Sequence, residues 1–262
     1  MKSASRSSPS MLSIRAFFAD CSTPLTRIIF ALRLGLCLLT GWGVLAFPVP
    51  ARGTDLTDLE EVVDNARLTF AHFAGNPDLA WIRSNLKEAK GILILPQVLQ
   101  AGYFVGATLG SGVLLLHDER TGEWSDPAFY TVKAGSFGLQ IGLKRSQVVA
   151  LIMTKKGIDS MVGSKFMLGG DLNLTVGPVG RGLAGGVTPT MNADVVAYAR
   201  SEGAYGGISL RGLILSPDDD WNEVYFGRSV SASEILLSGS SVRHWYSARL
   251  RAAVTDAQTE EP

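Results

Sequence analysis

At 262 residues, with 46% hydrophobic and 18% charged side chains, the chain is long enough for one well-filled core or two small ones. Its formal net charge of zero excludes nucleic-acid binding through a broad basic surface. The only cysteines are Cys21 and Cys37, so beyond them there is no disulfide, no thiolate nucleophile and no cysteine metal ligand.

Residues 1–51 read as a signal peptide and leader. Lys2, Arg6, Arg15, Arg27 and Arg33 precede the apolar run LGLCLLTGWGVLAF (34–47), and PVPARGTD follows with Ala51 at the expected cleavage point. Retention as a membrane anchor is the rival reading, but Arg33 interrupts the longer apolar stretch and leaves it short of a span. Removing residues 1–51 leaves 19 basic against 23 acidic side chains. The expected product is exported, mildly acidic, and placed in the periplasm or associated with a bacterial envelope.

The first mature element is helical. Thr57 with Glu60 forms a capping-box pattern, and Leu59, Val62, Val63, Ala66, Phe70 and Phe73 recur every three or four residues as one apolar stripe. A second helix follows, with Asn76 as N-cap, Pro77 in its first turn, Leu79, Ile82 and Leu86 on one face, and Gly91 as terminator. From Ile92 the pattern turns extended. The expected strands are 92–95, 102–109, 112–118, 128–135, 137–143 and 147–154, with a turn at Gly122. A short helix at 155–163 interrupts the series before strands at 171–177, 193–201 and 206–215. Ser231 and Glu234 cap a helix through EILL, and 242–254 is an amphipathic helix. The expected fold is α+β, a mainly antiparallel twisted β-sheet or partial barrel flanked by N- and C-terminal helices. One domain spans 52–254, and 255–262 is an expected disordered tail.

AGYFVGATLGSGVLLL (101–116) poses the sharpest question. As a phosphate loop it fails, because Leu115 stands where the third glycine belongs and no Walker lysine follows. As a membrane helix, Gly102, Gly106 and Gly110 would share one face, but Pro96 and the density of glycine make that helix poor. Strand glycines at bends or close backbone approaches are the better reading. His72, His117 and His244 lie far apart without zinc-helix spacing, and no G-x-S-x-G elbow exists, so neither catalytic nor metal residues are expected. Asp218, Asp219 and Asp220 lack the spacing of a calcium loop and read as a helix-capping turn. Basic residues gather at Lys87 and Lys90, Lys144 and Arg145, and Lys155, Lys156 and Lys165.

The blocks EAKGILILPQVLQAGYFVGATLGSGVLL, GEWSDPAFYTV, GSFGLQIGL, SKFMLGGDLNLTVGPVGR, YARSEGAYGGISLRG and NEVYFGRSVSASEIL resemble, in this order, the SYLF family of lipid-binding domains. The resemblance covers about Asp55 to Gly239. It implies a non-enzymatic binding module without cofactor: eukaryotic members bind phosphoinositide membranes and some bind actin, while secreted bacterial members are taken as lipid-binding. An exported chain makes actin an unlikely partner on this reading, and an anionic phospholipid membrane or lipid ligand the expected one. This sequence departs from the family where relatives carry basic residues, having Ala107-Thr108 and Gln100 instead.

Lys87, Lys90, Lys144, Arg145, Lys155, Lys156 and Lys165 are therefore the candidate lipid-binding residues, with Leu59, Val63, Phe70 and Phe73 of the first helix available to enter a headgroup boundary. Two alternatives remain open. One is a hydrolase of envelope lipid or glycan, built from Asp218–Asp220, Glu223 and His244; the other is an envelope structural protein that oligomerises through sheet edges.

Overall fold

A computed structural model describes residues 54–137, 142–177, 193–202, 210–238 and 242–259. The leader expected at 1–51 lies outside them, and Gly53–Pro262 form the unit considered below. Helix α1 (Leu56–Ala74) is followed by a 3₁₀ turn (Pro77–Leu79) and the short α2 (Ala80–Leu86). Strands β1 (Gly91–Gly102), β2 (Val105–Asp118), β3 (Glu123–Trp124), β4 (Ala128–Phe137) and β5 (Gly142–Ile152) follow; β2 pairs with β1 and β4, while β5 crosses over to pair with the other edge of β1. Then come α3 (Lys155–Gly163), β6 (Phe166–Met167), β7 (Leu174–Val176), β8 (Val195–Glu202) and β9 (Ile214–Pro217). Helices α4 (Asp219–Phe226), α5 (Ala232–Leu237) and α6 (Ala248–Thr259) close the chain. The sheet runs β6-β9-β4-β2-β1-β5-β8-β7, with β3 paired to the end of β2, and curls into a half-barrel with helices at its N- and C-terminal sides. The fold is α+β. Among the described strands all pairings are antiparallel except β7 with β8.

The near half of the sheet is buried on both faces. Ile92, Ile94, Val113, Leu115, Val149 and Leu151 pack beneath Leu59, Val63, Phe70 and Phe73 of α1, Ile82 and Leu86 of α2, and Leu250 and Val254 of α6. Their neighbours Leu93, Leu95, Leu114, Val148, Ala150 and Ile152 face Met161 of α3 and Ile235 of α5. Burial on both faces is why ILIL and VLLL are unbroken apolar runs and not alternating ones.

Several boundaries differ from those read in the sequence. The capping box of α1 is Asp55 with Asp58: each carboxylate accepts the other's backbone N–H, at 3.0 and 3.3 Å, so the helix begins before Thr57. Two carboxylates at a helix N-terminus also complement its dipole. The second helix is shorter than expected. Its Asn76–Pro77 start makes only a 3₁₀ turn, Lys87 is the C-cap of α2, and Gly91 begins β1 instead of ending a helix.

The strands expected at 102–109 and 112–118 are also redrawn. Gly102–Val105 is the hairpin turn, and 105–118 is one strand. The break expected at Pro96 is a bulge, since the register of β1 slips there against both neighbours. A proline, with no N–H to donate, fits a central strand only at such a point.

Of the strand expected at 206–215, residues 206–209 lie outside the described residues, and Gly212 (φ 83°) turns the chain into β9. At the C-terminus, 242–247 is irregular and α6 runs to Thr259. The tail expected from 255 is therefore helical where described: Ala257 is buried, and the Gln258 side-chain oxygen accepts the Trp124 indole N–H at 3.1 Å.

Candidate functional site

The seven candidate cations do not form one patch. Lys90, Lys155 and Lys156 sit at the Gly91–Ile152 end of the sheet, each against a carboxylate. Lys90 pairs with Glu119, Lys155 with Asp159 at 2.8 Å, and Lys156 with Asp194 at 3.2 Å. Lys90 and Lys155 border a cleft of about 630 Å³ floored by Leu116, Ile158 and Leu236. Arg120 and Arg243 complete four cations on its walls, matched by Asp118, Glu119, Glu123 and Asp159. Such a balanced wall offers no net attraction to an anion. Lys87 and Lys165 are exposed at the end of α2 and ahead of β6.

Lys144 and Arg145 lie at the opposite end. They are in register with Gln100 and Leu99 on β1, ten residues along that strand from Lys90, which is about 33 Å. Here the helix layer runs out. The Gln147 amide on β5 still donates to Thr69 Oγ1 of α1, at 3.2 Å, whereas Arg145 and Leu143 on the same face are exposed. Cross-strand partners share a face, so one row reads Arg145 (β5), Leu99 (β1), Leu109 (β2), Lys133 (β4). Lys133 is the cation that sequence reading missed; its isolation in AFYTVKAGSF concealed it, and only the β2–β4 register brings it into this row. Lys144 occupies the other face.

From Phe129 to Arg145 and from Gln97 to Leu116 the chain contains Lys133, Lys144 and Arg145 and no acidic residue. The acid in register with Arg145 is Glu202 on β8.

The residues of the hydrolase alternative do not converge. Asp218 caps α4 by accepting the Trp221 N–H at 3.1 Å. Asp219 accepts the Ala232 N–H at 2.9 Å and the Asn222 amide at 3.3 Å, bridging α4 to α5. Burial raises the Asp218 carboxyl despite that capping bond. His244 packs on the Tyr225 ring at 4.2 Å and on Phe226, and burial lowers its pKa. None of these side chains borders the 630 Å³ cleft. Of the other histidines, His117 stacks on Trp124 and His72 meets the Arg200 guanidinium at 2.6 Å. Among the described residues no group of three or more His, Cys, Asp or Glu side chains could hold a metal.

Leu59, Val63, Phe70 and Phe73 are at most 2% exposed, so the apolar stripe of α1 is core and does not face a headgroup boundary. Two buried acids that the sequence did not flag also have structural work. Asp194 accepts from Thr154 Oγ1 at 2.7 Å and from the Asn173 N–H at 3.0 Å, tying α3, β7 and β8 together. Asp126 accepts the Ser247 hydroxyl and the His244 N–H, holding the 242–247 segment to the β3–β4 corner.

A family model, Ysc84, described as "Las17-binding protein actin regulator", matches residues 133–257, from β4 through most of α6. SH3 domain-containing YSC84-like protein 1 of Bos taurus is 34% identical over 155 residues, 58% of this chain and 44% of the relative. Over residues 133–257 the chain is similar to the Ysc84 (SYLF) family. The Homo sapiens protein of the same name is 33% identical over 155 residues. LAS seventeen-binding protein 3 of Saccharomyces cerevisiae is 30% identical over 164 residues, 59% of this chain and 34% of that protein. The chain thus spans less than half the length of these relatives. SYLF domains are non-catalytic binding and regulatory modules. The relatives give no support to setting actin-related partners aside.

Proposed function

We propose that this chain is a non-enzymatic module that binds anionic phospholipid surfaces, exported to a cell envelope by its N-terminal leader. The observation that carries the reading is the acid-free far half of the four central strands, where Lys133, Lys144 and Arg145 supply the charge. Each cation held near an anionic membrane contributes about 1 kcal/mol, so a small group of them gives reversible, salt-sensitive attachment. The near-end lysines, matched by carboxylates, take no part in it.

Co-sedimentation of the chain with phosphatidylcholine vesicles, with and without phosphatidylglycerol, tests the reading. Binding to the anionic vesicles that weakens with salt is expected, and binding to neither kind removes it. Mass spectrometry of the secreted protein tests the leader, with a mature start near Arg52 expected.

The family description favours a second reading, engagement of an actin-regulatory protein. Co-sedimentation with actin filaments and capture by a Las17-type partner test it directly, and positive results there with no vesicle binding would replace the lipid reading.

A further inference from the structure

The far end of the sheet has an apolar point as well as charge. The β1–β2 hairpin closes through Gly102-Tyr103-Phe104-Val105, with the Tyr103 N–H directed to the Val105 carbonyl at 3.3 Å. A turn that only had to reverse the chain would favour Asn-Gly or Asp-Gly. Here two aromatic rings stand edge to face, 4.5 Å apart, and Tyr103, Phe104 and Val105 are 56, 58 and 62% exposed. Leu143, in register with Ala101, is 73% exposed, and Leu109 is 57% exposed. Of the eleven large apolar side chains exposed among the described residues, these five fall at one end of the sheet, so the exposure is concentrated and not scattered.

The surroundings of this patch identify its occupant. Behind the point, the Arg145–Leu99–Leu109–Lys133 row places a cation on each flank of an apolar centre. Leu109 is five residues from Phe104, about 17 Å along the strand. An aromatic tip with cations set back by that distance matches a bilayer interface, where rings lie at the acyl boundary and long basic side chains reach the anionic headgroups. A protein partner would need carboxylates set around an apolar socket; a bilayer presents anionic headgroups over hydrocarbon everywhere. Entry through α1 is closed, because its apolar stripe is core.

We infer that the β1–β2 hairpin is the element that enters the bilayer, Tyr103 and Phe104 leading and Val105, Leu143 and Leu109 following to the headgroup boundary. Lys133 and Arg145 meet anionic headgroups behind them, and the 630 Å³ cleft faces away from the membrane. This rests on the lipid-binding reading above and adds to it the inserting residues and the orientation.

The test uses the full chain with Cys21→Ser and Cys37→Ser, carrying an environment-sensitive nitrobenzoxadiazole dye on Phe104→Cys or, at the opposite end, on Arg120→Cys. Vesicles are phosphatidylcholine with or without phosphatidylglycerol. A blue shift at position 104 with anionic vesicles and none at 120 is expected, and unlabelled Phe104→Ser should bind about tenfold more weakly with an unchanged melting curve. Co-sedimentation with a water-like emission at 104 overturns insertion and leaves the lipid-binding reading standing. Equal shifts at 104 and 120 overturn the orientation. A blue shift at 104 in buffer alone, with a rise in mass by light scattering, overturns insertion in favour of pairing with a second copy. No co-sedimentation removes both the insertion and the reading beneath it.

Discussion

Gly112 faces the Ile94 carbonyl across the β1–β2 pair so closely that a Cβ on it would lie 2.1 Å from that oxygen and 2.8 Å from the Leu95 Cα. Gly110 meets the next backbone group in the same way, with Gln97 O at 2.7 Å from its Cβ position. Both stand opposite the Pro96 bulge, where the β1 backbone bows toward β2. The obstructing atoms are main chain and cannot rotate aside, so Gly112→Ala should cost about 3 kcal/mol or prevent folding. Gly135→Ala, on a strand position with nothing within 4 Å of its Cβ, should change stability by less than about 1 kcal/mol. Urea unfolding of the two variants makes the comparison.

Phe70→Ala separates core from membrane contact. Phe70 is 1% exposed and belongs to the helix-side core, so its truncation should cost about 3–5 kcal/mol. Vesicle affinity of the protein that remains folded should match wild type. Selective loss of vesicle binding with full stability would return α1 to the membrane.

The charge split predicts a positional effect on vesicle binding. Arg145→Gln and Lys133→Gln should each weaken association with phosphatidylglycerol vesicles about fivefold, the loss of roughly 1 kcal/mol. Lys155→Gln, which removes the partner of Asp159 at the near-end cleft, should have no effect. The slope of affinity against salt should fall for the first two variants only.

The two buried aspartates should give opposite pH signatures. Burial raises the Asp126 carboxyl above its usual range, although the Ser247 hydroxyl, the His244 N–H and Arg243 all pull it down. Its contribution is complete below about pH 4 and is lost as pH rises through the raised folded value, so wild type should lose stability relative to Asp126→Asn across that rise. Burial also pushes Asp194 up, but the bonds from Thr154, the Asn173 N–H and Lys156 outweigh it and hold the carboxyl low. Wild type should therefore exceed Asp194→Asn in stability above about pH 4, and the advantage should vanish as pH falls through the depressed value. Urea unfolding between pH 3 and 7 reads both.

Ending the chain after Val254 should be harmful. It removes buried Ala257 and the Gln258 side chain that binds the Trp124 indole. A loss of about 2 kcal/mol is expected, with Trp124 becoming accessible to acrylamide. An unchanged melting curve would restore residues 255–259 to the status of a loose tail.

Much of this architecture was legible in the residues. The three- and four-residue spacing from Leu59 to Phe73 gave α1 and its apolar stripe, and the extended runs after Ile92 gave the series of strands, though not the crossover that sets β5 beside β1. Periodicity is a local signal and survives without tertiary context. It failed at the hairpin tip and at Pro96. An apolar Tyr-Phe-Val looks like the middle of a strand, and a proline looks like a break, unless the cross-strand register is known.

The candidate site was legible in part. Lys144 and Arg145 were visible as a basic pair, but Lys90, Lys155 and Lys156 were equally visible, and only for Lys155 does a local neighbour, Asp159 four residues on, supply the matching carboxylate. Glu119 lies 29 residues from Lys90 and Asp194 lies 38 from Lys156. Cancellation of charge across such distances is a property of folded neighbours.

By itself the sequence determined the resemblance to SYLF domains, the α+β class, the amphipathic α1 and the need for glycine in β2, because residue order, hydrophobic period and backbone permissiveness are written one position at a time. Only the tertiary structure decided which face of α1 is core, which cations are matched by carboxylates, and that Lys133, Arg145, Leu109, Leu143, Tyr103 and Phe104 share one end of the sheet. Those are consequences of register: antiparallel pairing sets Leu99 beside Leu109 and Arg145, and Leu109 beside Lys133, and a slip of one residue would have turned Leu109 to the opposite face.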